Sequence, residues 1–388
     1  MSLTVALDVT TALTQRAGVG RYTRELAEAL LRQQGGADAV EVRPFFVAPR
    51  ADYPLFVAPR ADYPLADGVR VAQMRRSIRS WRLEMLARQL TGRPAHGPWD
   101  GARIYHAPDV VFPPVRGMPV VATVHDLSYI VYPRYHTRLN GAYLRAVTPL
   151  VTRRARMIIA DSEATKRDLV ERAAVPAGRI HVVQPAVPQA FIQRPSDEHV
   201  AAARQKYGLE GGFILSVGTL EPRKNLSAVL RAYRLLHERL GDAPPLALVG
   251  GAGWGLSEEQ LLGPAQSLRV RRLGFVPDED LAALYASCNA FVYPSLYEGW
   301  GLPVAEALSL GAPTITSTVS SLPEVAGEAA LLVDPGSVEA ITAALERVLT
   351  DTKEAERLRR AGPIQASRFT TVSWVEGTVA VYRRALGM

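Results

Sequence analysis

Short runs rich in β-branched residues alternate with longer stretches of helical periodicity along almost the whole chain of 388 residues. Strands that alternate with helices in this way build parallel sheets with helices on both faces. The alternation therefore predicts an α/β protein of doubly wound, Rossmann-like layers. We expect strands at residues 5–9, 40–46, 104–106, 120–124, 157–161, 181–183, 213–217, 246–249, 270–273, 290–293, 314–316 and 330–333, and a first helix at residues 21–33.

The length of the chain is too great for one ordinary core and favours two domains. Three prolines between residues 184 and 195 separate two series of strands and mark the predicted boundary. The first domain is expected to cover residues 1–187 and the second residues 188–371. Ligands of such sheets bind outside the carboxyl ends of the strands, so the loops there are the candidates for a site.

Composition narrows the kinds of partner and compartment. The formal charge of +7 and the pI near 9.6 favour an acidic partner: a phosphate-bearing small molecule, an anionic membrane surface or nucleic acid. No nucleic-acid-reading motif is present, so nucleic acid is not expected. No apolar run approaches the roughly 20 residues needed to span a bilayer, and no secretory leader opens the sequence, so we expect a cytoplasmic protein. The single cysteine, Cys288, excludes an internal disulfide and is expected to be a buried structural thiol.

A strand-to-helix junction at residues 216–226 carries two adjacent cations. The strand ends at Val217, a glycine turn follows, and a helix begins near Asn225 beside Arg223 and Lys224. Free backbone N–H groups at a helix start, together with fixed cations, suit a diphosphate. The alternative is an ordinary loop with solvated charges.

A second junction, at residues 294–308, carries two carboxylates. Glu298 lies in a loop with Gly299 and Gly301, and Glu306 lies about one turn into the following helix. Loop glycines let the backbone approach a ligand closely, and carboxylates accept hydrogen bonds from sugar or ribose hydroxyls. For Glu306 the alternative is a glutamate that is only salt-bridged within the protein.

Two weaker signals lie in the first half of the chain. Gly18 and Gly20 follow the first strand and open a helix, where a phosphate loop belongs in a dinucleotide-type fold. His125 follows the strand at residues 120–124 and is expected at the same edge of the sheet. The sequence leaves three roles open for this histidine: general base, hydrogen-bond donor or structural residue.

Three further features receive no catalytic role. Asp278 and Asp280 match an Asp-x-Asp metal pattern, but capping of the following helix by Asp278 explains them better. Residues 248–253 lack the third glycine and the acidic residue of a dinucleotide fingerprint, so NAD is not expected. Residues 46–55 are repeated as residues 56–65, and the prolines in each copy favour a surface loop.

Residues 70–93 combine arginines with an apolar series that includes Trp81. This composition suits an amphipathic helix that lies on an anionic membrane. The alternative is a solvated helix whose apolar face packs on the first domain. The arginines concerned are Arg75, Arg76, Arg79, Arg82 and Arg88.

Together these motifs resemble the retaining glycosyltransferases of family four, which have the GT-B fold. The resemblance covers most of the chain. Its most specific mark is the pair Glu298 and Glu306, which are separated by seven residues. It implies two Rossmann-like domains that face each other across a cleft, the first for the acceptor and the second for a nucleotide sugar. It also implies a C-terminal helix at residues 372–388 that crosses back to complete the first domain.

The resemblance implies a role for each donor-binding residue. Arg223 and Lys224 hold the diphosphate, Glu306 holds the ribose, and the backbone near Val276 holds the base. This chain departs from many family members in having Thr219, rather than arginine, after the glycine of the phosphate segment. Arg223 is expected to supply the missing charge. Neither a metal ion nor another cofactor is implied.

The transferred sugar has its own set of residues in the resemblance. Glu298 and the loop after it hold the sugar, His125 contacts it near the reacting carbon, and Gly18 and Gly20 close on the phosphates. The loop residues concerned are Gly299, Trp300, Gly301 and Leu302.

The two junction motifs look most like those of bacterial mannosyltransferases of O-antigen or exopolysaccharide assembly. The resemblance therefore favours GDP-mannose as donor and a glycan or lipid-linked acceptor. Transfer from UDP-glucose or a related UDP-sugar, and non-hydrolytic UDP-sugar epimerisation, are the alternatives. A lipid-linked acceptor implies a peripheral position at the inner face of the plasma membrane.

Overall fold

The computed structural model describes residues 3–15, 18–33, 40–48, 71–110, 112–251, 253 and 268–388. The chain forms two compact units, Met1–Pro185 with Thr371–Met388, and Ala186–Thr370. Each unit is built on a parallel sheet flanked by helices, which confirms the predicted α/β class.

The first unit has a seven-stranded parallel sheet in the order β3-β2-β1-β4-β5-β6-β7. Its strands are β1 Leu3–Asp8, β2 Val40–Ala48, β3 Ala72–Arg75, β4 Ile104–Ala107, β5 Val120–Val124, β6 Met157–Ala160 and β7 Ile180–Val182. Its first six helices are α1 Thr10–Thr14, α2 Val19–Arg32, α3 Ile78–Thr91, α4 Ser128–Val131, α5 Arg138–Arg154 and α6 Glu163–Ala173. The strand order reverses between β1 and β4, which is the switch point where ligands bind in such sheets.

The second unit has a six-stranded parallel sheet in the order β10-β9-β8-β11-β12-β13. Its strands are β8 Ile214–Val217, β9 Leu246–Val249, β10 Val270–Gly274, β11 Ala290–Tyr293, β12 Thr314–Ser317 and β13 Ala330–Val333. Its described helices are α7 Asp197–Tyr207, α8 Leu226–Leu240, α9 Asp278–Ser287, α10 Leu302–Ser309, α11 Leu322–Ala326, α12 Val338–Thr350 and α13 Thr352–Ala366. Here the switch point lies between β8 and β11.

The last helix, α14 (Thr371–Ala385), belongs to the first unit, as predicted. The Tyr382 hydroxyl lies 2.7 Å from Nδ1 of the fully buried His106, and the Trp374 ring packs edge-on against Tyr22 at 5.0 Å. Burial lowers the pKa of His106 to about 3, so the ring is neutral. The terminal helix therefore supplies part of the core of the first unit.

The basic segment differs from its prediction. Residues 72–75 form the edge strand β3, so Arg75 lies on a strand and not on the amphipathic helix expected for residues 70–93. The helix α3 begins at Ile78 because Ser77 caps it, accepting a hydrogen bond from the Ser80 amide at 3.1 Å. Its Trp81 is only 4% exposed and packs on Trp99, so the bulk of the apolar face is turned to the core.

Two smaller expectations are also changed or qualified. Asp278 does not cap α9: it is the first helical residue, and Pro277 occupies the cap without a side-chain bond. An aspartate in the first turn still interacts favourably with the helix dipole. The repeated segment lies outside the described residues apart from positions 46–48, which end β2.

Cys288 is fully buried, as expected, and burial raises the pKa of its thiol to about 12. None of the helices that the structure describes is long and apolar enough to cross a membrane.

Candidate donor and acceptor sites

The two loops at the switch point of the second unit are bonded to each other. The loop after β8 includes a short 3₁₀ turn, Pro222–Lys224, and the loop after β11 runs up to α10. The Arg223 carbonyl accepts hydrogen bonds from the Leu296 amide and the Ser295 hydroxyl, both at 2.9 Å. The parallel register therefore places the predicted phosphate segment directly beside the predicted sugar segment.

Asn225 fixes the junction between the 3₁₀ turn and α8. Its backbone is left-handed, with φ of 59°, a conformation that is uncommon for residues other than glycine. Its side-chain amide donates to the carbonyls of Pro294 at 3.0 Å and Pro335 at 2.7 Å. These bonds stabilise the turn that brings Arg223 and Lys224 to the loop after β11.

Arg223 and Glu298 form the centre of a buried ion network. The guanidinium donates from Nη1 to Glu298 Oε2 and from Nη2 to Glu221 Oε1, each at 2.7 Å. It also donates to the Tyr297 carbonyl at 2.7 Å. The two glutamates are 8% and 7% exposed, so these are bonds of an enclosed site rather than of a solvated surface.

Lys224 completes this network from the other side. Its Nζ lies 2.7 Å from Glu298 Oε1 and donates to the Tyr293 hydroxyl at 2.6 Å. The Tyr293 and Ser295 hydroxyls each donate to the same Glu298 oxygen at 2.7 Å. Both carboxylate oxygens of Glu298 are thus occupied by donors from this protein.

The charges in this network compensate one another. Burial alone would raise the pKa of Glu298, but the charges of Arg223 and Lys224 outweigh it and lower the pKa to about 2. Burial and the neighbouring guanidinium lower the pKa of Lys224, an effect that Glu298 opposes. Two cations and the two carboxylates Glu221 and Glu298 sum to zero formal charge before any ligand binds.

The β12–α11 connection forms hydrogen bonds with the backbone of the sugar segment. The Ser321 hydroxyl donates to the carbonyls of Glu298 at 3.0 Å and Trp300 at 2.7 Å. Gly301 has φ of 111°, and a Cβ there would lie 2.7 Å from the Leu322 side chain, so the turn into α10 requires glycine. The predicted loop geometry is therefore built from backbone constraints.

The side chains of Trp300 and Val276, two residues predicted to contact the donor, face the core. The Trp300 indole is 4% exposed and packs edge-on against Phe369 at 4.9 Å. Val276 is 2% exposed and belongs to the same hydrophobic cluster. Any contact of these two residues with a ligand must therefore come from their backbone atoms.

Glu306 lies on α10 at the same end of the sheet and is 1% exposed. The Tyr285 hydroxyl donates to its Oε2 at 3.1 Å.

The glycine-rich loop after β9 packs closely on the phosphate segment. A Cβ at Gly250 would lie 2.0 Å from the Gly218 carbonyl oxygen, and one at Gly253 would lie 2.3 Å from the Leu220 carbonyl oxygen. Gly250 and Gly253 thus serve backbone packing beside Thr219.

In the first unit, His125 is held on both ring nitrogens. Nδ1 lies 2.7 Å from Asp161 Oδ2, and Nε2 lies 2.8 Å from the Pro108 carbonyl oxygen. Burial alone would lower the pKa of His125, but Asp161 and the carbonyl raise it to about 9. A carbonyl oxygen can only accept, so Nε2 donates to Pro108, and Nδ1 is engaged by the Asp161 carboxyl, whose own pKa is raised by burial. This arrangement removes the general-base role, because no ring lone pair is free.

Gly18 and Gly20 are required by the local backbone for different reasons. Gly18 precedes α2 with φ of 58° in the cap position. A Cβ at Gly20 would lie 2.0 Å from the Gln15 carbonyl oxygen, so the first turn of α2 packs directly on the preceding backbone. Both glycines are thus explained by the backbone path, and their predicted approach to a phosphate remains a prediction.

A polar pocket at the switch point of the first unit was not predicted from the sequence. Its lining includes Asp8 at the end of β1, Asp109 after β4, Thr10 on α1 and Arg82 on α3. Asp8 is 8% exposed and accepts a hydrogen bond from the Thr10 amide at 2.9 Å. Burial raises the pKa of Asp8 to about 6. An aspartate at the carboxyl end of an otherwise apolar strand is a sequence signal that could have indicated this pocket.

Sequence comparisons agree with the division into two units. Residues 16–191 match the model of the family described as Glycosyltransferase Family 4, and residues 200–365 match that of Glycosyl transferases group 1. An O-antigen chain mannosyltransferase B from Escherichia coli is 34% identical over 377 residues, which cover 94% of this chain and 96% of that protein.

Two further similarities are shorter or more distant. A serotype-specific mannosyltransferase from Escherichia coli is 34% identical over 240 residues, which cover 60% of this chain and 29% of that protein. A sucrose-phosphate synthase structure from Thermosynechococcus elongatus has a TM-score of 0.75 and 20% identity, and the match covers 99% of both chains. The latter supports the GT-B fold.

The fold is that of the GT-B glycosyltransferases. With a 34% identical relative matched over nearly its whole length, the chain belongs to the family-four, group 1 glycosyltransferases. It is a hexosyltransferase whose homologues are mannosyltransferases of cell-surface polysaccharide synthesis.

Proposed function

We propose that this enzyme transfers mannose from GDP-mannose to a growing cell-surface glycan or its lipid-linked precursor, with retention of anomeric configuration. The observation that carries the proposal is the buried network of Arg223, Lys224 and Glu298 at the switch point of the second unit. The donor sugar is argued from the mannosyltransferase relative that matches 94% of the chain.

Binding of the diphosphate must rearrange the ion network. In the structure both cations are bonded to carboxylates, so their charge is compensated. A donor phosphate that takes hydrogen bonds from Arg223 or Lys224 replaces part of those contacts. The backbone amides at the start of α8 add partial positive charge beside the phosphates.

Departure of the nucleoside diphosphate builds negative charge on its phosphate oxygens, while the anomeric carbon acquires oxocarbenium character. Fixed cations and oriented amides in an enclosed site stabilise that charge without reorganisation. We propose that Arg223 and Lys224 supply this stabilisation and that no metal ion is required. Glu298 then has a positioning role: it fixes the two cations and presents the loop of residues 299–302 to the sugar.

We propose that the polar pocket of the first unit binds acceptor hydroxyls. Asp8 is buried, yet its carboxylate lines the pocket together with Asp109 and Arg82. Carboxylates and a guanidinium are the groups that bind vicinal sugar hydroxyls. Substitution of Asp109 by Asn should raise KM for the acceptor more than KM for the donor.

The nucleotide is tested by a thermal-shift screen with GDP, UDP, ADP and dTDP, because a ligand of the native state raises the melting temperature. We expect the largest shift with GDP. A larger shift with UDP would support the alternative, a UDP-sugar-dependent transferase or epimerase. Product analysis of the matching nucleotide sugar then separates transfer from epimerisation.

The site is tested by Lys224→Ala and Glu306→Ala. We expect Lys224→Ala to reduce mannosyl transfer by at least about 100-fold, the effect of removing one charge-stabilising group from an enclosed site. Glu306→Ala should reduce transfer by weakening donor binding, because it removes the proposed contact with the ribose. Lys353→Ala is the matched control, since Lys353 is exposed on α13 of the same unit. Melting temperatures verify folding, and near-normal transfer by both folded variants would overturn the proposal.

We also propose a peripheral position at the inner face of the plasma membrane. The structure leaves fewer free arginines on this segment than the sequence suggested: Arg76 and Arg88 both bond Glu84, and Arg82 lies over the Tyr143 ring. Co-sedimentation with anionic vesicles, comparing the wild type with an Arg75/Arg76/Arg79 triple alanine variant, tests this position. Equal binding would exclude this patch.

A further inference from the structure

A second basic feature lies in the first unit, at the amino ends of β5 and β6. It is a cavity of about 500 Å³ whose wall contains four arginines. They are Arg153, Arg154, Arg156 and Arg179. Among the described lining residues every other one is apolar and none is acidic. Since His125 and Gly20 follow the carboxyl ends of their strands, this cavity lies at the opposite edge of the sheet from them.

Two of the four arginines build the wall. Arg179 donates to the Thr152 carbonyl at 2.6 Å and to the Ala155 carbonyl, at the end of α5. Arg154 donates to the Gln89 carbonyl on α3 at 2.8 Å. These bonds use carbonyls as acceptors, so they leave the positive charge of both guanidiniums uncompensated.

The other two arginines are available to a ligand. Arg153 and Arg156 are exposed, and no hydrogen bond or ion pair of either side chain is described in the structure. The cavity thus places four positive charges around an apolar floor. A ligand that matches this lining carries negative charge and an apolar part in one molecule.

Helix α3 carries an exposed apolar stripe, and its last turn contacts the cavity wall. Leu83 and Leu90 are each 67% exposed, and they lie with Arg79 and Ala87 on one face of the helix. The Arg154 guanidinium that lines the cavity also bonds the last turn of α3 through Gln89. Exposed leucines beside a cationic cavity are the arrangement of an interfacial surface.

We propose that this cavity binds the phosphate headgroup of an anionic membrane lipid, with Leu83 and Leu90 entering the interface beside it. The charge fits a phosphodiester, and the apolar floor fits the glycerol and the first carbons of the acyl chains. The proposal deepens the peripheral location proposed above and is independent of which nucleotide sugar is the donor.

The test is co-sedimentation of the full chain with vesicles of phosphatidylcholine alone or with about one third phosphatidylglycerol. Arg153→Ala/Arg156→Ala should weaken partition onto the anionic vesicles about thirtyfold, since each basic residue at such a surface contributes about fivefold. Leu83→Ser/Leu90→Ser should weaken it as well. Neither variant changes a residue of the donor or acceptor sites, so nucleotide thermal shifts should stay at wild-type size.

The matched control is Arg231→Ala/Arg360→Ala, which removes the same charge from exposed positions of the second unit. An equal loss in this control would mean that net charge alone binds the vesicles and would overturn the proposal. A loss confined to the Arg75/Arg76/Arg79 variant would overturn it too. A rise in melting temperature with inorganic phosphate, without vesicle binding, would identify a soluble phosphate ligand and reject the lipid. If no nucleotide raises the melting temperature of the wild type, the donor proposal is refuted instead.

Discussion

At the residue scale, the ion network around Glu298 makes a prediction about acid stability. With a folded pKa of about 2 against an ordinary value of 4.5, the ionised carboxylate stabilises the fold above pH 4.5, and this contribution is lost as the pH falls towards 2. Glu298→Gln should therefore cost about 3 kcal/mol at pH 7, from a shift of that size. Denaturant unfolding of both proteins from pH 7 to pH 3 measures it. A difference that does not shrink with acid would contradict the assignment.

His125 predicts the opposite dependence on pH. Its pKa is raised from 6.5 to about 9, so its stabilising charge is fully present below pH 6.5 and is lost as the pH rises through 9. We expect the melting temperature to fall across this range in the wild type and to be flatter in His125→Gln. The pH–rate profile of mannosyl transfer should have the same shape in the wild type and in His125→Gln, without an additional inflection near pH 6.5 in the wild type. Such an inflection would restore the general-base role that the geometry removes.

The donor residues were predicted from the sequence, but their electrostatic state was not. Two cations and two glutamates at characteristic spacings identify the site even in one sequence. That Glu221 and Glu298 already compensate Arg223 and Lys224 depends on which loops are neighbours, and this follows from the pairing of β8 with β11. The burial of the Trp300 side chain likewise depends on its packing against Phe369, which is remote in sequence.

At the element scale, the close packing of α2 predicts the effect of a substitution. Gly20→Ala should displace the first turn of α2, because its Cβ would lie 2.0 Å from the Gln15 carbonyl oxygen. We expect a destabilisation of about 1–3 kcal/mol, typical of overpacking. Gly211→Ala is the control, since a Cβ there meets no atom within 4 Å. Thermal unfolding compares the two, and equal stability would show that α2 shifts freely.

Elements were predictable where both faces are buried. Central parallel strands read as continuous apolar runs, which is why β5, β9 and β11 match their predicted bounds. The edge strand β3 was missed because its four residues, Ala-Gln-Met-Arg, have no such run and are largely accessible. A strand of this kind is fixed by its pairing with β2, which local sequence does not record.

At the scale of the whole molecule, the two units differ in how the chain builds them. The second unit is one continuous segment, and its ends are joined where the Val187 amide donates to the Phe369 carbonyl at 3.0 Å. The first unit needs two segments, because α14 supplies Tyr382 to His106 and Trp374 to Tyr22. Removal of residues 371–388 should therefore unfold the first unit and leave the second intact.

This difference predicts that residues 186–370 fold and bind nucleotide on their own. Arg223, Lys224 and Glu306 all lie in that segment, and its core clusters are drawn from within it. The isolated segment should bind the nucleotide that stabilises the full chain with a Kd within about tenfold, or 1.4 kcal/mol. Calorimetric titration measures it, with the Lys224→Ala form of the same segment as control. A folded segment that binds no nucleotide would mean that the first unit contributes most of the donor affinity, and the assignment of the donor site to the second unit would then be wrong.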